Sequence, residues 1–263
     1  MATYTPSQLT QYFTHIHLPS RPPNRNSHQP LKFLTTLQAY HMARVPFESL
    51  SLHYSLHRLL SLSPGDLFTK IVSHGRGGYC MEVNTFFATV LRSLGFTLYS
   101  AGARVRGAEG YKVPRDHMVN IVTINNQHSQ PQRYLVDTAF GSNTALHPIP
   151  LTHNHTFLNL PPSHGRLQYR RLAEHTDPSQ RAWVYSIREN DAADWTEMYS
   201  FTETEFFPGD FEVMNLRTMT APQSFFVQSV MWEIIERLGN EEERVSALEK
   251  YFGIVLSQEE RRG

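Results

Sequence analysis

Residues 76–95 read RGGYCMEVNTFFATVLRSLG, and the fold is organised around this stretch. Val83, Phe86, Phe87, Val90, Leu91 and Leu94 fall at i, i+3, i+4, i+7, i+8 and i+11, one apolar stripe of a buried helix. Gly95 stands where a helix C-cap is expected. Cys80 lies three residues before Val83, at the start of this helix and on its inward side. Gly77 and Gly78 ahead of it permit a tight turn and a close approach of backbone to other groups. Aligned peptide dipoles give a helix start roughly +0.5 charge, which favours thiolate. Arg76 is placed to add a second positive field. A lone cysteine is most often a small buried hydrophobe. The Gly-Gly turn and the helix start instead make Cys80 a candidate nucleophile, which then requires a base elsewhere in the chain.

A base needs a histidine on a rigid element, oriented by a carboxylate or amide. His117 opens the strand pattern His117–Ile124, and Asp137 lies within the apolar run Tyr134–Phe140. An ionisable group in such a run is costly unless paired, so Asp137 demands a partner. A hairpin turning near Gln127 sets His117 opposite Asp137, and the polar loop Asn125–Gln132 permits that register. Asp116 adjoins His117, but strand neighbours point to opposite faces, which makes it a poor orienter of that ring. Glu82 and Asn84 flank the cysteine on its helix and are expected to make hydrogen bonds that fix the turn. Glu48, in an apolar stretch, reads as a buried structural acceptor. Gly102, Gly107, Gly110 and Pro114 mark a mobile loop ahead of His117.

Upstream, residues 19–30 are rich in proline and polar residues and read as a surface loop. Leu31–Arg44 follows as a helix that Pro46 stops. Ser63–Asp66 is a turn, and Leu67–Val72 a further short helix. Downstream, Phe96–Val105, His117–Ile124, Tyr134–Phe140, Leu167–Leu172 and Ala182–Arg188 are β-branched and aromatic runs separated by turn residues. They make residues 96–200 a β-rich middle, read as a small barrel. The last sixty or so residues mix short extended pieces with helix signals at Val230–Leu238 and Glu241–Tyr251. The fold class is α+β.

Composition excludes several functions. The 263 residues carry 24 Lys plus Arg against 24 Asp plus Glu, so no excess charge points to nucleic acid or an anionic membrane. No apolar run approaches the ~20 residues that span a bilayer, and Met1–Leu18 lacks a signal pattern. A soluble cytoplasmic protein is expected. Cys80 is the single cysteine, so no intramolecular disulfide forms. The 14 histidines are scattered without zinc spacing, and no metal is expected. Neither GxGxxG nor GxxxxGK[ST] occurs, which disfavours nucleotide binding of those types.

Arg76–Asn84 resembles the signature around the nucleophile of the arylamine N-acetyltransferase family. Val45-Pro46-Phe47-Glu48-Ser49-Leu50 is similar to that family's upstream Pro-Phe-Glu motif, with Ser49 where asparagine is usual. Asp116–Asn120 and Tyr134–Gly141 resemble the strands bearing its histidine and aspartate, and Asp210–Asn215 with Pro222, Ser224 and Phe225 its lid. The resemblance implies an N-terminal helical bundle over 1–95 with the nucleophile. It implies a central β-barrel over 96–200 with His and Asp, and a C-terminal α/β lid over 201–263, around a papain-like Cys-His-Asp site. The implied reaction is ping-pong N-acetylation of an arylamine or hydrazine by acetyl-CoA, a step of xenobiotic metabolism. Cys80 would be the nucleophile, His117 the base and acid, and Asp137 the group holding its tautomer. The backbone N–H of Cys80 would serve the oxyanion hole. Phe140 and Gly141 match positions lining the acyl and amine pocket, and Arg106 is expected to face it. Val113, Arg217 and Gln223 match the CoA-contacting positions, and Arg217 offers a partner for a phosphate or for the carboxylate of a malonyl donor.

Two other classes compete with this reading. A papain-like protease or transglutaminase-like hydrolase shares the Cys, His, Asp order, and a binding module could keep the fold without the activity. CoA dependence separates the first, and rapid alkylation of Cys80 the second.

Overall fold

The computed structural model describes residues 2–18, 29–125, 130–233 and 242. The first helix, α1 (Pro6–His15), lies where the sequence shows only polarity; Thr5 and Gln8 cap it reciprocally, each side chain accepting from the other's backbone N–H. Next come α2 (Pro30–Met42), a two-residue strand β1 (Phe47–Glu48), α3 (Leu50–Tyr54) and α4 (Pro64–Phe68). The Ser63–Asp66 stretch, expected as a turn, is the start of α4: Pro64 occupies the first helical position, where its missing N–H costs nothing. A π-helical turn over Thr69–Ser73 continues it.

Helix α5 (Cys80–Ser93) follows the apolar stripe, and Val83, Phe86, Phe87, Val90 and Leu91 are all buried. Gly95 takes a left-handed φ of 83° and Phe96 N–H donates back to Leu91 O at 3.0 Å, closing the helix as the sequence requires.

Eight antiparallel strands follow: β2 (Thr97–Val105), β3 (His117–Ile124), β4 (Gln132–Val136), β5 (Ile149–Pro150), β6 (His155–Leu158), β7 (His164–Arg170), β8 (Ala182–Arg188) and β9 (Thr196–Phe201). Their order, β5-β4-β3-β2-β9-β8-β7-β6, makes a nearly closed barrel. Alternation along β2–β4 sorts the side chains. Ala101, Ala103, Val119, Ile121 and Leu135 join the barrel core, while Met118, Val122, Ile124 and Val136 pack in the core built by α5. Gly102, expected in a mobile loop, is instead inside β2. A Cβ there would lie 2.5 Å from the Phe206 ring, so only glycine lets that ring approach.

Two expectations are corrected around Asp137. The strand expected over Tyr134–Phe140 ends at Val136, because the next N–H groups leave the ladder: Thr138 N donates to Asn84 Oδ1 and Ala139 N to Asp137 Oδ1, both at 3.0 Å. The β3–β4 register pairs Asn120 with Val136 rather than Tyr134, a slip of two residues. A slip of two conserves the face, so His117 and Asp137 still share one side of the sheet as diagonal neighbours.

The chain then forms α6 (Pro208–Thr220), α7 (Phe225–Gln228) and β10 (Trp232–Glu233). The helix expected from Val230 is not present at its start, where Trp232 and Glu233 are extended and pair with β1. The rest of that segment, and the Glu241–Tyr251 helix apart from residue 242, lie outside the described residues. Among the described residues no helix is long and apolar enough to cross a membrane.

Strand β1 lies between β10 and the Gly-Gly turn: Phe47 bridges Gly78, Glu48 N donates to Gly78 O at 3.0 Å, and Gly78 N donates to Pro46 O at 3.3 Å. At Gly77 a Cβ would stand 1.8 Å from the Pro46 carbonyl oxygen. Backbone is on both sides of that contact, so Gly77→Ala is expected to destabilise the chain by about 3 kcal/mol in denaturant titration. A change below about 0.5 kcal/mol would mean that the turn relaxes freely.

Candidate active site

Cys80 is the first residue of α5 and is buried, its Sγ 3.6 Å from the carbonyl oxygen of Asp116. Two buried carboxylates shape the turn that presents it. Glu82 accepts from Tyr79 N at 3.3 Å, fills the space beside Gly78, and pairs with Lys70 at 2.6 Å. Burial raises the Glu82 pKa against the opposing pull of Lys70. Glu48 accepts from Leu50 N at 2.6 Å and pairs with Arg76 at 2.9 Å. Both carboxylates are thus the structural acceptors the sequence suggested. The Arg76 charge, expected to act on Cys80, is instead matched by Glu48, and the pair adds no net positive field. Below the turn, the Tyr79 hydroxyl donates to Asn215 of α6.

His117 and Asp137 meet with Nε2 2.7 Å from Oδ2, both fully enclosed. The other carboxylate oxygen, Oδ1, accepts from Asn84 Nδ2 at 2.9 Å and from Ala139 N at 3.0 Å. Asn84 uses its full capacity. Its second N–H goes to Met118 O at 2.8 Å, and its oxygen accepts both the N–H and the hydroxyl of Thr138 at 3.0 Å. Because Asn84 follows Cys80 by four residues on α5, one helical face delivers both the thiol and the amide that anchors the carboxylate. Ser100 and Asn120 extend the polar chain: Ser100 Oγ donates to Asn120 Oδ1 at 2.7 Å, and Asn120 Nδ2 donates to Asn84 O at 3.0 Å. From α2, the buried Gln38 Nε2 donates to Ala145 O at 2.9 Å and ties down the stretch after Asp137.

Nε2 is committed to Asp137, which leaves Nδ1 as the nitrogen free of the carboxylate, and Cys80 Sγ lies 3.6 Å from the carbonyl oxygen of Asp116, the residue before His117. Burial alone would lower the His117 pKa. The Asp137 charge and hydrogen bond, with the Cys80 contact, overcome this and lift it to about 10. Burial opposes ionisation of Asp137 too, but the His117 charge, with hydrogen bonds from His117, Asn84 and Ala139, holds its pKa below the usual carboxylate range. The ring also touches Phe140 and Tyr199, each with its centroid 5.0 Å away. Tyr199 is buried, which raises its pKa. No sequence signal singled out Tyr199, since it is one of two aromatics in β9.

The remaining candidates are more dispersed. Phe140 stands against His117, and Gly141 follows it with φ 65°. Arg106 is half-exposed and pairs with Glu197 at 3.4 Å. The Val113 carbonyl accepts from the Arg104 guanidinium. Arg217 and Gln223 are exposed, on α6 and just after it. Burial raises the pKa of Asp116, with the Val105 N–H and the His117 charge acting the other way. Asp116 accepts from Val105 N at 3.3 Å and takes no part in holding the His117 ring through its carboxylate. Among the described residues no group of three or more His, Cys, Asp or Glu could hold a metal ion.

A family model described as N-acetyltransferase matches residues 30–241. The chain is 35% identical to the N-malonyltransferase FDB2 of Fusarium pseudograminearum, over 99% of this chain and 92% of that protein. It is 30% identical to an arylamine N-acetyltransferase of Mycolicibacterium smegmatis, over 86% and 76% respectively. The fold is similar to the arylamine N-acetyltransferase structure from Mycobacterium abscessus, with a TM-score of 0.74 and 23% identity over 97% of this chain and 92% of that one.

The pair has a defined pH signature. His117 is raised from 6.5 to about 10, so its stabilising contribution is complete below pH 6.5 and is lost as pH rises through about 10. Asp137, being lowered, contributes above its unfolded value of 3.8 and loses this only as pH falls through its folded value. Asp137→Asn is expected to cost about 3 kcal/mol near pH 6. Its deficit against wild type should shrink between pH 6.5 and 10 in urea titrations; a deficit independent of pH would contradict the ion pair.

Proposed function

The chain belongs to the arylamine N-acetyltransferase family and is an N-acyltransferase, and from that premise we propose that it carries an acyl group from coenzyme A to an arylamine or hydrazine through an acyl-Cys80 intermediate, in the cytoplasm. The observation that carries this reading is the buried His117–Asp137 pair, 2.7 Å apart, next to a thiol at the start of α5 whose Sγ lies 3.6 Å from the carbonyl oxygen of Asp116, the residue before His117.

In the first half-reaction the Cys80 sulfur, its proton held on His117, attacks the thioester carbonyl. The C–S bond to CoA breaks, and His117 returns the proton to the departing thiolate. In the second half, the amine nitrogen attacks the acyl-Cys80 carbonyl while His117 removes its proton, and the Cys80 sulfur leaves. Asp137 fixes the ring so that one nitrogen serves both transfers. Backbone N–H groups in the first turn of α5 have no partner within the helix, and that of Cys80 suits the developing oxyanion. The reading divides the chain into a helical unit (1–95), a barrel (96–200) and an α/β lid (201–263). Phe140, Gly141 and Arg106 are assigned to the acyl and amine side, and Val113, Arg217 and Gln223 to coenzyme A.

Acetyl-CoA is the proposed donor. Malonyl-CoA is the second reading, favoured by the 35% identity to a protein named N-malonyltransferase, with the exposed Arg217 of α6 as the cation offered to its carboxylate.

Mixing the protein with acyl-CoA in the absence of amine is expected to release one burst of CoA and to add one acyl mass at Cys80. Cys80→Ser should abolish transfer and keep the thermal midpoint within a few degrees; turnover near the wild-type rate would exclude this nucleophile, and amide hydrolysis without CoA would favour a peptidase. In a second test, Arg217→Ala is expected to lower the malonyl-to-acetyl ratio of kcat/KM by about tenfold, the scale of one lost charge-assisted contact. An unchanged ratio would remove Arg217 from donor selection.

A further inference from the structure

Residues 226–233 are sewn onto the motif that precedes the nucleophile. His53 Nε2 lies 2.9 Å from Phe226 O, Ser49 N donates to Met231 O and Met231 N donates to Ser49 Oγ, both at 3.0 Å, and Phe47 pairs with Glu233 in the β1–β10 ladder. Phe47 in turn bridges Gly78, two residues before Cys80. From this ladder the Glu233 side chain reaches the turn after Phe140, where its Oε2 accepts from Ser142 N at 2.6 Å. Gly141 makes room for it: a Cβ there would lie 2.6 Å from the same oxygen, at a φ of 65° that side chains avoid. The preceding residue, Phe140, touches the His117 ring. Glu233 is therefore bracketed by the two stretches that meet at Cys80 and His117.

Its charge has a different standing from those of the buried acids around it. Glu48, Glu82 and Asp137 are matched by Arg76, Lys70 and His117. Glu233 bonds there to a neutral backbone N–H, which orients the carboxylate without cancelling it.

We infer that Glu233 sets the charge preference of the acceptor, disfavouring arylamines that carry a carboxylate and favouring neutral rings or rings bearing a cationic or hydrogen-bond-donating substituent. This rests on the N-acyltransferase reading and specifies its amine side. A fixed charge bracketed in this way repels a like charge on an acceptor ring and changes little for a neutral one.

The test uses the full chain with acetyl-CoA, or malonyl-CoA if that is the better donor, and compares kcat/KM for 4-aminobenzoate with that for 4-methylaniline. Wild type should prefer 4-methylaniline. Glu233→Gln retains an oxygen to accept from Ser142 and removes the charge; it should raise the 4-aminobenzoate to 4-methylaniline ratio by about tenfold, as should the smaller neutral variant Glu233→Ser. Glu233→Asp should keep the wild-type ratio. A ratio that moves less than about twofold in either folded neutral variant overturns the inference, and so does failure of both neutral variants to fold, which would make Glu233 a structural strut. If wild type acylates neither amine, it is the transfer reading that fails; if it acylates 4-methylaniline and the ratio stays put, only the role of Glu233 falls.

Discussion

The structure depends on one buried charge pair, the His117 imidazole against the Asp137 carboxylate. Two titratable groups enclosed among aromatic rings are tolerated only if every polar valence is met. Asp137 has three hydrogen-bond partners: the His117 ring, the Asn84 amide and the Ala139 N–H. This requirement explains why the barrel and α5 are joined through Asn84 rather than by apolar packing alone, and why the chain turns sharply after Val136 instead of extending β4. Loss of the carboxylate would strand the amide and the ring together.

The same logic governs the approach to Cys80. Two glycines bring the Pro46–Glu48 backbone against the start of α5, and Glu48 and Glu82 occupy the space and hydrogen-bond the loop. Each acid is balanced by a cation reaching in from the surface, so the turn that carries the thiol is braced without adding net charge of its own. The imidazole of His117 is held in turn by its carboxylate.

How much of this was legible in the sequence follows from the physics of each signal. The stripe from Val83 to Leu91 predicts α5 because one helix buries those residues together, and Gly95 marks its end. The shared face of His117 and Asp137 was readable from strand parity, whereas the register was not: the slip of two residues leaves parity intact, and a polar loop does not specify its own turn. The end of β4 was hidden because the hydrogen bonds that terminate it come from Asn84, more than fifty residues earlier. Tyr199 was invisible among other strand aromatics. Strand β10 is two residues long, too short to have a period, and its neighbouring sequence resembles a helix. Ser49, where the related motif usually has asparagine, makes sense only once Met231 is seen beside it.

That last contact joins positions 182 apart in the chain. During synthesis the thiol, the imidazole and the carboxylate can all have emerged and folded while the ribosome is still adding the residues that border them. Closing so long a loop costs little more entropy than closing one half its length, so late arrival carries only a small thermodynamic penalty. It does impose an order: a nascent chain stopped before residue 229 would hold its cysteine, histidine and aspartate yet lack the partner strand of Phe47 and Glu48, so the stretch that braces the Gly-Gly turn would stay unpaired on that side until β10 arrives.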